Sequence, residues 1–320
     1  MLAASKSLAL LTTPCHDPLS RIAGQLCAAN EALLTGRRGA PRSGLWPSRP
    51  AVAALAADLR SVLFPGHFGA AEPAPDGVEA FVTAQLGKLQ AALREQIRRA
   101  LAIVCQHPEA AATTACAACG ARAAEATDAL LGRLPAIRRL LESDLRAAYA
   151  SDPAATFLEE TLHCYPGIQA ITQHRIAHQL YALSVPLLPR MLSELAHAAT
   201  GIDIHPGAEI GPHFFIDHGT GLVIGETCRI GARVRLHQGV TLGGRSADDP
   251  YGFLARGERR HPLVADDVVI YPGATILGPV TIGEGAVIGG NVCLSDDVPA
   301  GARVTQGRPE RDLFADGAGI

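Results

Sequence analysis

Residues 264–294, VADDVVIYPGATILGPVTIGEGAVIGGNVCL, carry an aliphatic side chain at every sixth position: Val264, Ile270, Ile276, Ile282, Ile288 and Leu294. The same step runs through Ile224, Ile230, Leu236 and Leu242 and, before a two-residue slip, through Ile204, Ile210 and Ile216. Gly follows the aliphatic residue directly at Gly211, Gly225, Gly231, Gly283 and Gly289. Short side chains stand two residues before the next aliphatic one, at Ala208, Val234, Val240, Ala274, Val280, Ala286 and Val292. This is a hexapeptide repeat, and it predicts a three-faced prism in which each unit supplies one short strand and one corner. The glycines are expected at the corners. Three units close a coil, so each inward side chain stacks on its counterpart about 18 residues earlier in an apolar ladder. Such a ladder needs few aromatic residues, and they make up only 4% of the chain, against 33 Gly and 22 Pro.

The ladder is interrupted by residues 243–263, GGRSADDPYGFLARGERRHPL, a polar stretch too long to be a corner. A loop of this length inside a solenoid is more often functional than structural. It is expected to project from one edge of the prism.

The first half has the period of helices. Val82, Leu86, Leu89, Leu93, Ile97, Leu101 and Val104 form one apolar stripe, and Leu130, Leu131, Leu134, Ile137, Leu140, Leu141 and Leu145 form another. Asp152 followed by Pro153 reads as an N-cap with proline at the first helical position. Pro166-Gly167 breaks the chain before a helix from about Ile168 to Leu183, and a last helix near Arg190 to Ala199 ends at Gly201. Residues 38–50 and 65–77, rich in Pro and Gly, read as loops. The expected class is α+β: an α-helical N-terminal domain over 1–200 (its first 50 residues an undefined extension), a parallel β-helix over 201–309, and a tail over 310–320.

The 320 residues carry a formal net charge of −3, which excludes a strong basic field directed at nucleic acid or an anionic membrane. No apolar run approaches the ~18 residues that span a bilayer. The N-terminus lacks a clean secretory signal, and the eight scattered cysteines suit a reducing cytoplasm better than a disulfide framework.

Several strings in the second half go beyond the repeat: GIDIHPGAEIG at 201–211, DHGTGLVIGET at 217–227, HQGVTLGG at 237–244, RHP at 260–262 and GATILG at 273–278, with DPAA at 152–155 before them. Together they resemble the long-insert branch of the serine acetyltransferases, a family of hexapeptide acyltransferases, over residues from about 130 to 309. The resemblance implies a left-handed β-helix that assembles as a trimer, or a dimer of trimers, with its active site between subunits. It implies transfer of acetyl from acetyl-CoA, a co-substrate rather than a resident cofactor, to the hydroxyl of L-serine. His218 would be the general base and Asp203 would orient its imidazole. Asp152 and Asp217 would face the serine ammonium, and Arg260 and His261 its carboxylate. Gly244, Pro272 and Gly290 would line the pantetheine arm of CoA. A terminal Ile320 would suit docking into O-acetylserine sulfhydrylase.

These residue types fit the chemistry. A serine hydroxyl needs a base with a pKa near the working pH, which histidine supplies, and a carboxylate on the far ring nitrogen fixes its tautomer. A zwitterionic substrate needs acids for its ammonium and a cation for its carboxylate, and the planar fork of Arg260 suits the latter. The rivals are another CoA-dependent hexapeptide acyltransferase and a trimeric β-helix zinc carbonic anhydrase using His213, His218 and His237. The set Cys105, His107, Cys116 and Cys119 has zinc-type spacing, but its Ala-rich helical surroundings favour packing cysteines, and no metal is expected.

Overall fold

The computed structural model describes residues 18–34, 46–69, 77–105, 116–245 and 258–307. Among them are seven helices: α1 (Pro18–Leu34), α2 (Arg49–Leu63), α3 (Val78–Val104), α4 (Ala117–Ser151), α5 (Leu158–Cys164), α6 (Pro166–Ala182) and α7 (Leu188–Thr200). The two apolar stripes lie on α3 and α4, which pack together, with Leu89, Leu93, Ile97, Leu130, Leu134, Ile137, Leu141 and Leu145 buried. Val104 leaves the stripe: it is 59% exposed, because α3 ends there. Residues 46–48 are non-helical as expected, but α2 already begins at Arg49, with the Ser48 hydroxyl accepting from the Ala51 N–H. Pro166 occupies the first turn of α6, and Gly201 ends α7 in the left-handed conformation (φ 71°) that a side chain resists. Asp152 is not an N-cap. It is the residue on which α4 ends, and Phe157 precedes the next helix. The Asp-Pro pair gave the N-cap signal, but α4 already extends to Ser151.

After α7 the chain winds a left-handed parallel β-helix with three faces. The first face holds β1 (Asp203–Ile204), β4 (Val223–Ile224), β7 (Thr241–Gly243), β10 (Thr275–Leu277) and β13 (Cys293–Leu294). The second holds β2 (Glu209–Ile210), β5 (Arg229–Ile230), β8 (Leu263–Val264) and β11 (Thr281–Ile282). The third holds β3 (Phe215–Asp217), β6 (Arg235–His237), β9 (Val269–Ile270), β12 (Val287–Ile288) and β14 (Arg303–Val304). Every residue of the sequence ladder is on a strand, and neighbouring strands pair in parallel. Ile224 pairs with Leu242, and Ile270 with Ile288, at the expected spacing. The first coil pairs Ile204 with Ile224, absorbing the two-residue slip. Leu242 pairs with Ile276 across the insertion, so the long loop leaves the ladder in register. Gly243 and Leu263 belong to strands, which narrows the loop to 244–262, of which 246–257 lie outside the described residues.

Most ladder side chains are almost fully buried, and Ala208, Val234, Val240, Ala274, Val280, Ala286 and Val292 fill the corners beside them. Each fully buried Ile or Leu contributes ~1.5–3 kcal/mol of transfer free energy. The glycines after the ladder residues serve a different purpose from the expected one. Left-handed backbone falls at the second corner residue instead, as at His213, Arg233, Asp267 and Asn291. Gly211 is required by close approach, since a Cβ there would lie 2.6 Å from the Gly231 carbonyl oxygen of the next coil.

One buried ion pair docks the helices on the solenoid. Arg175 on α6 grips Asp144 on α4 in bidentate fashion at 2.7 and 2.9 Å. The same guanidinium donates to the Ile210 and Gly211 carbonyls, and Asp144 accepts from the Phe214 N–H. Both side chains are buried. The pair fixes α4 and α6 against the edge between the second and third faces. Two turns further on, α4 ends beside β3.

Candidate active site

The edge from the third face to the first carries Asp217, His218 and His237. β3 ends at Asp217, and His218 and Gly219 follow with φ of 58° and 92°. Left-handed backbone at a histidine is uncommon and costs energy that the surrounding structure must supply. The turn throws the imidazole outward: the His218 side chain is 76% exposed, with Nε2 3.6 Å from Asp217 Oδ1. Asp217 Oδ2 accepts from Arg235 Nη2 and lies 3.5 Å from His237 Nε2. Arg235 Nη1 also donates to the Ser151 carbonyl at 3.3 Å, tying this edge to the end of α4.

Asp152 follows directly. Its Oδ2 accepts from the Tyr165 hydroxyl at 2.5 Å and its Oδ1 from the Ala154 N–H at 2.8 Å. These two donors, Tyr165 foremost, hold the Asp152 carboxyl below the usual carboxylate range, with help from the nearby charges of Arg235 and His218. The Tyr165 phenol is pushed up to about 12 in turn. His237 Nδ1 donates to the Ile270 carbonyl at 2.8 Å, and its ring stacks on Tyr271, 4.9 Å between centroids. Burial, first, pulls the His237 pKa down.

Asp203 opens β1 at this same edge, one coil before Val223. No hydrogen bond or ion pair joins it to His218. The carboxylate nearest the imidazole is that of Asp217, while Asp203 lies with Glu194 and His197, their polar atoms within 4.8 Å of one another.

Arg260 and His261 belong to a different edge, from the first face to the second. There Arg260 Nη2 pairs with Glu226 Oε2, and Glu226 Oε1 accepts from Tyr181 of α6 at 2.8 Å. Thr227 Oγ1 accepts from the N–H groups of Arg260 and His261, and the Thr227 N–H donates to His261 Nδ1 at 3.2 Å. The His261 ring lies in the space a Cβ on Gly225 would need. Arg260, first, keeps the Glu226 carboxyl low, and burial lowers the His261 pKa. His205 packs edge-on against Tyr181, and its pKa falls to about 4, mainly through burial. No ion pair or hydrogen bond connects this set to His218. Gly244 lies on this edge, whereas Pro272 and Gly290 stack on the His218 edge in later coils, Gly290 with its absent Cβ 3.2 Å from the Pro272 carbonyl oxygen.

Tyr165, Arg235, Glu226 and Tyr181 were not singled out from the sequence, although Glu226 lies inside the GET string. His213 and His218, offered as zinc ligands for the carbonic anhydrase reading, stand at opposite ends of β3 and so at different edges.

Known proteins similar to this chain share one description. Residues 261–296 match the bacterial transferase hexapeptide (six repeats) family. The chain is 52% identical over 280 residues to the plasmid serine acetyltransferase of Synechococcus elongatus, covering 86% of each chain. It is 45% identical over 179 residues to the serine acetyltransferase of Bacillus subtilis, 56% of this chain and 78% of that one. Among solved structures, serine acetyltransferase 1 of Entamoeba histolytica in complex with L-cysteine superposes with a TM-score of 0.68 at 37% identity, over 78% of this chain and 86% of that one. The serine acetyltransferase of Neisseria gonorrhoeae in complex with serine gives 0.51 at 28% identity, over 81% and 97%. The hexapeptide ladder, the DHGTG turn and a likeness that runs through the helical half as well place this chain in the serine acetyltransferase family.

Proposed function

We propose that serine is bound and acetylated at a seam between two copies of the chain, where the His218 edge of one meets the Arg260 edge of the next. The overall reaction follows from the family: the chain is an acyltransferase that moves acetyl from acetyl-CoA to the hydroxyl of L-serine, giving O-acetyl-L-serine for cysteine biosynthesis. The observation behind the seam is that one prism carries Asp152, Asp217 and His218 on one edge and Arg260 and His261, the cation and imidazole assigned to the carboxylate, on another. A zwitterion needs both, and rotating copies about a threefold axis brings unlike edges together.

In this reading the carboxyl groups of Asp152 and Asp217 take the ammonium. Arg260 and His261 of a neighbouring copy take the carboxylate. His218 removes the hydroxyl proton as the oxygen attacks the thioester carbonyl carbon. The tetrahedral intermediate collapses with cleavage of the carbon–sulfur bond, and the departing thiolate recovers the proton from the imidazolium. Asp203 is assigned support of the imidazolium on its motif alone, and the role requires His218 to turn toward it from the exposed rotamer. Gly244 on one copy and Pro272 and Gly290 on the other border the path of the CoA arm. Similar structures hold serine in one case and L-cysteine in another, which supports a shared amino-acid site open to product-end inhibition. Docking to O-acetylserine sulfhydrylase through Ile320 falls outside the described residues and rests on the resemblance. No helix among the described residues is long and apolar enough to cross a membrane, and a cytoplasmic setting suits the free thiols found among them.

The test is complementation. His218→Ala and Arg260→Ala should each be inactive in serine-dependent release of CoA thiol. Mixed trimers refolded from the two variants regain activity if one site draws on two copies. Mixtures that stay dead would place both residues in one chain's site and sink the seam.

A further inference from the structure

Where α3 gives way to α4, the chain sets three cysteines face to face. Cys105 is the residue on which α3 ends, Cys116 immediately precedes α4, and Cys119 stands in its first turn. All three are buried free thiols whose sulfurs lie within 4.8 Å of one another. We propose that Cys105, Cys116 and Cys119 bind a zinc ion that clips the α3–α4 hairpin.

The geometry fits one ion at the centre. Thiolates about 2.3 Å from a tetrahedral zinc stand about 3.8 Å from each other, and Cys105 Sγ and Cys116 Sγ are 3.7 Å apart. The C-x-x-C pair at the start of α4 brings its two sulfurs within 4.8 Å of each other and of Cys105 Sγ.

Packing alone is a poor account of the cluster. Cysteines used as small core residues belong in the main core, as Cys228 does. Among the described residues these three form a cluster of their own, with Leu101 the hydrophobic side chain packed against them, at a helix end where the adjacent Val104 is exposed. Sulfur-rich, buried and at the opposite end of α4 from Asp152, the site has the character of a structural zinc rather than a catalytic one. His107, the fourth member of the sequence pattern, lies outside the described residues, so the proposal stands on the three thiols.

The experiment uses the full, untagged chain purified under reducing conditions. Elemental analysis should find about one zinc per chain after gel filtration. Exchange for cobalt(II) should give a thiolate-to-metal charge-transfer band. Cys119→Ser and Cys116→Ser should lower bound metal at least tenfold, while Cys293→Ser, on β13, keeps it. A reduced wild-type chain that carries no zinc and gives no thiolate band with cobalt overturns the proposal, as does full metal content in Cys119→Ser. The wild-type measurement decides the matter even where a variant fails to fold.

Discussion

The Tyr165 hydroxyl, at the break between α5 and α6, donates a 2.5 Å hydrogen bond to Asp152 Oδ2 at the end of α4. The bond stabilises the ionised carboxylate, so Asp152 stays charged to lower pH than an ordinary aspartate. Removing the donor removes the largest cause of that depression. In Tyr165→Phe the carboxyl pKa therefore rises, and the ammonium loses its partner at a higher pH than in the parent. KM for serine, followed as pH falls, should begin to climb earlier in the variant. Superimposable acid limbs would show that Asp152 does not hold the ammonium.

Arg235 makes a second prediction. It bridges Asp217 to the Ser151 carbonyl and so sets the distance between the two acids. A hydrogen bond to a charged group contributes ~1.5–3 kcal/mol, about ten- to a hundredfold in binding. Arg235→Gln should raise KM for serine at least tenfold and leave KM for acetyl-CoA nearly unchanged. Equal effects on both substrates would mean that Arg235 supports the solenoid and not the serine pocket.

Gly225 tests the other edge. Its bare Cα makes room for the His261 ring. Gly225→Ala pushes that ring away from Thr227 and disturbs the adjacent Arg260. Serine KM should increase more than tenfold, with little change in far-ultraviolet circular dichroism. A variant with parental kinetics would separate His261 from carboxylate binding.

The ladder and its coils were legible because inward side chains in a hexapeptide solenoid have no alternative placement: a shift of one residue would turn Ile270 or Ile276 out to water. The long insertion did not obscure this, since Leu242 and Ile276 still pair across it. Site residues outside the strings were harder to see. Arg235 reaches Asp217 along a diagonal between neighbouring coils, and Glu226 meets Arg260 across the insertion. Tyr165 meets Asp152 only because α5 folds back on α4, which no local pattern signals. Asp203 illustrates the opposite limit: its motif is legible, yet its carboxylate rests with Glu194 and His197. The three cysteines were visible as a spacing, but only the hairpin of α3 and α4 brings their sulfurs together.

Asp144 and Arg175 supply a stability prediction independent of catalysis. Deleting one partner of a buried pair leaves an uncompensated charge and costs ~3–5 kcal/mol. Asp144→Ala and Arg175→Met should each lower the denaturant midpoint by a corresponding amount. The double variant should lose much less than the sum, because no lone charge remains buried. Recovery should stop short of the parent, since the Ile210 and Gly211 carbonyls and the Phe214 N–H lose partners in the double variant. Strictly additive losses would mean that water reaches the site and that the pair is not the clamp. The folded fraction of each single variant should keep the parental kcat, because the pair sits at the edge between the second and third faces, away from both substrate-binding edges. A fall in kcat without a fall in stability would instead show that the docking of α4 controls the placement of Asp152.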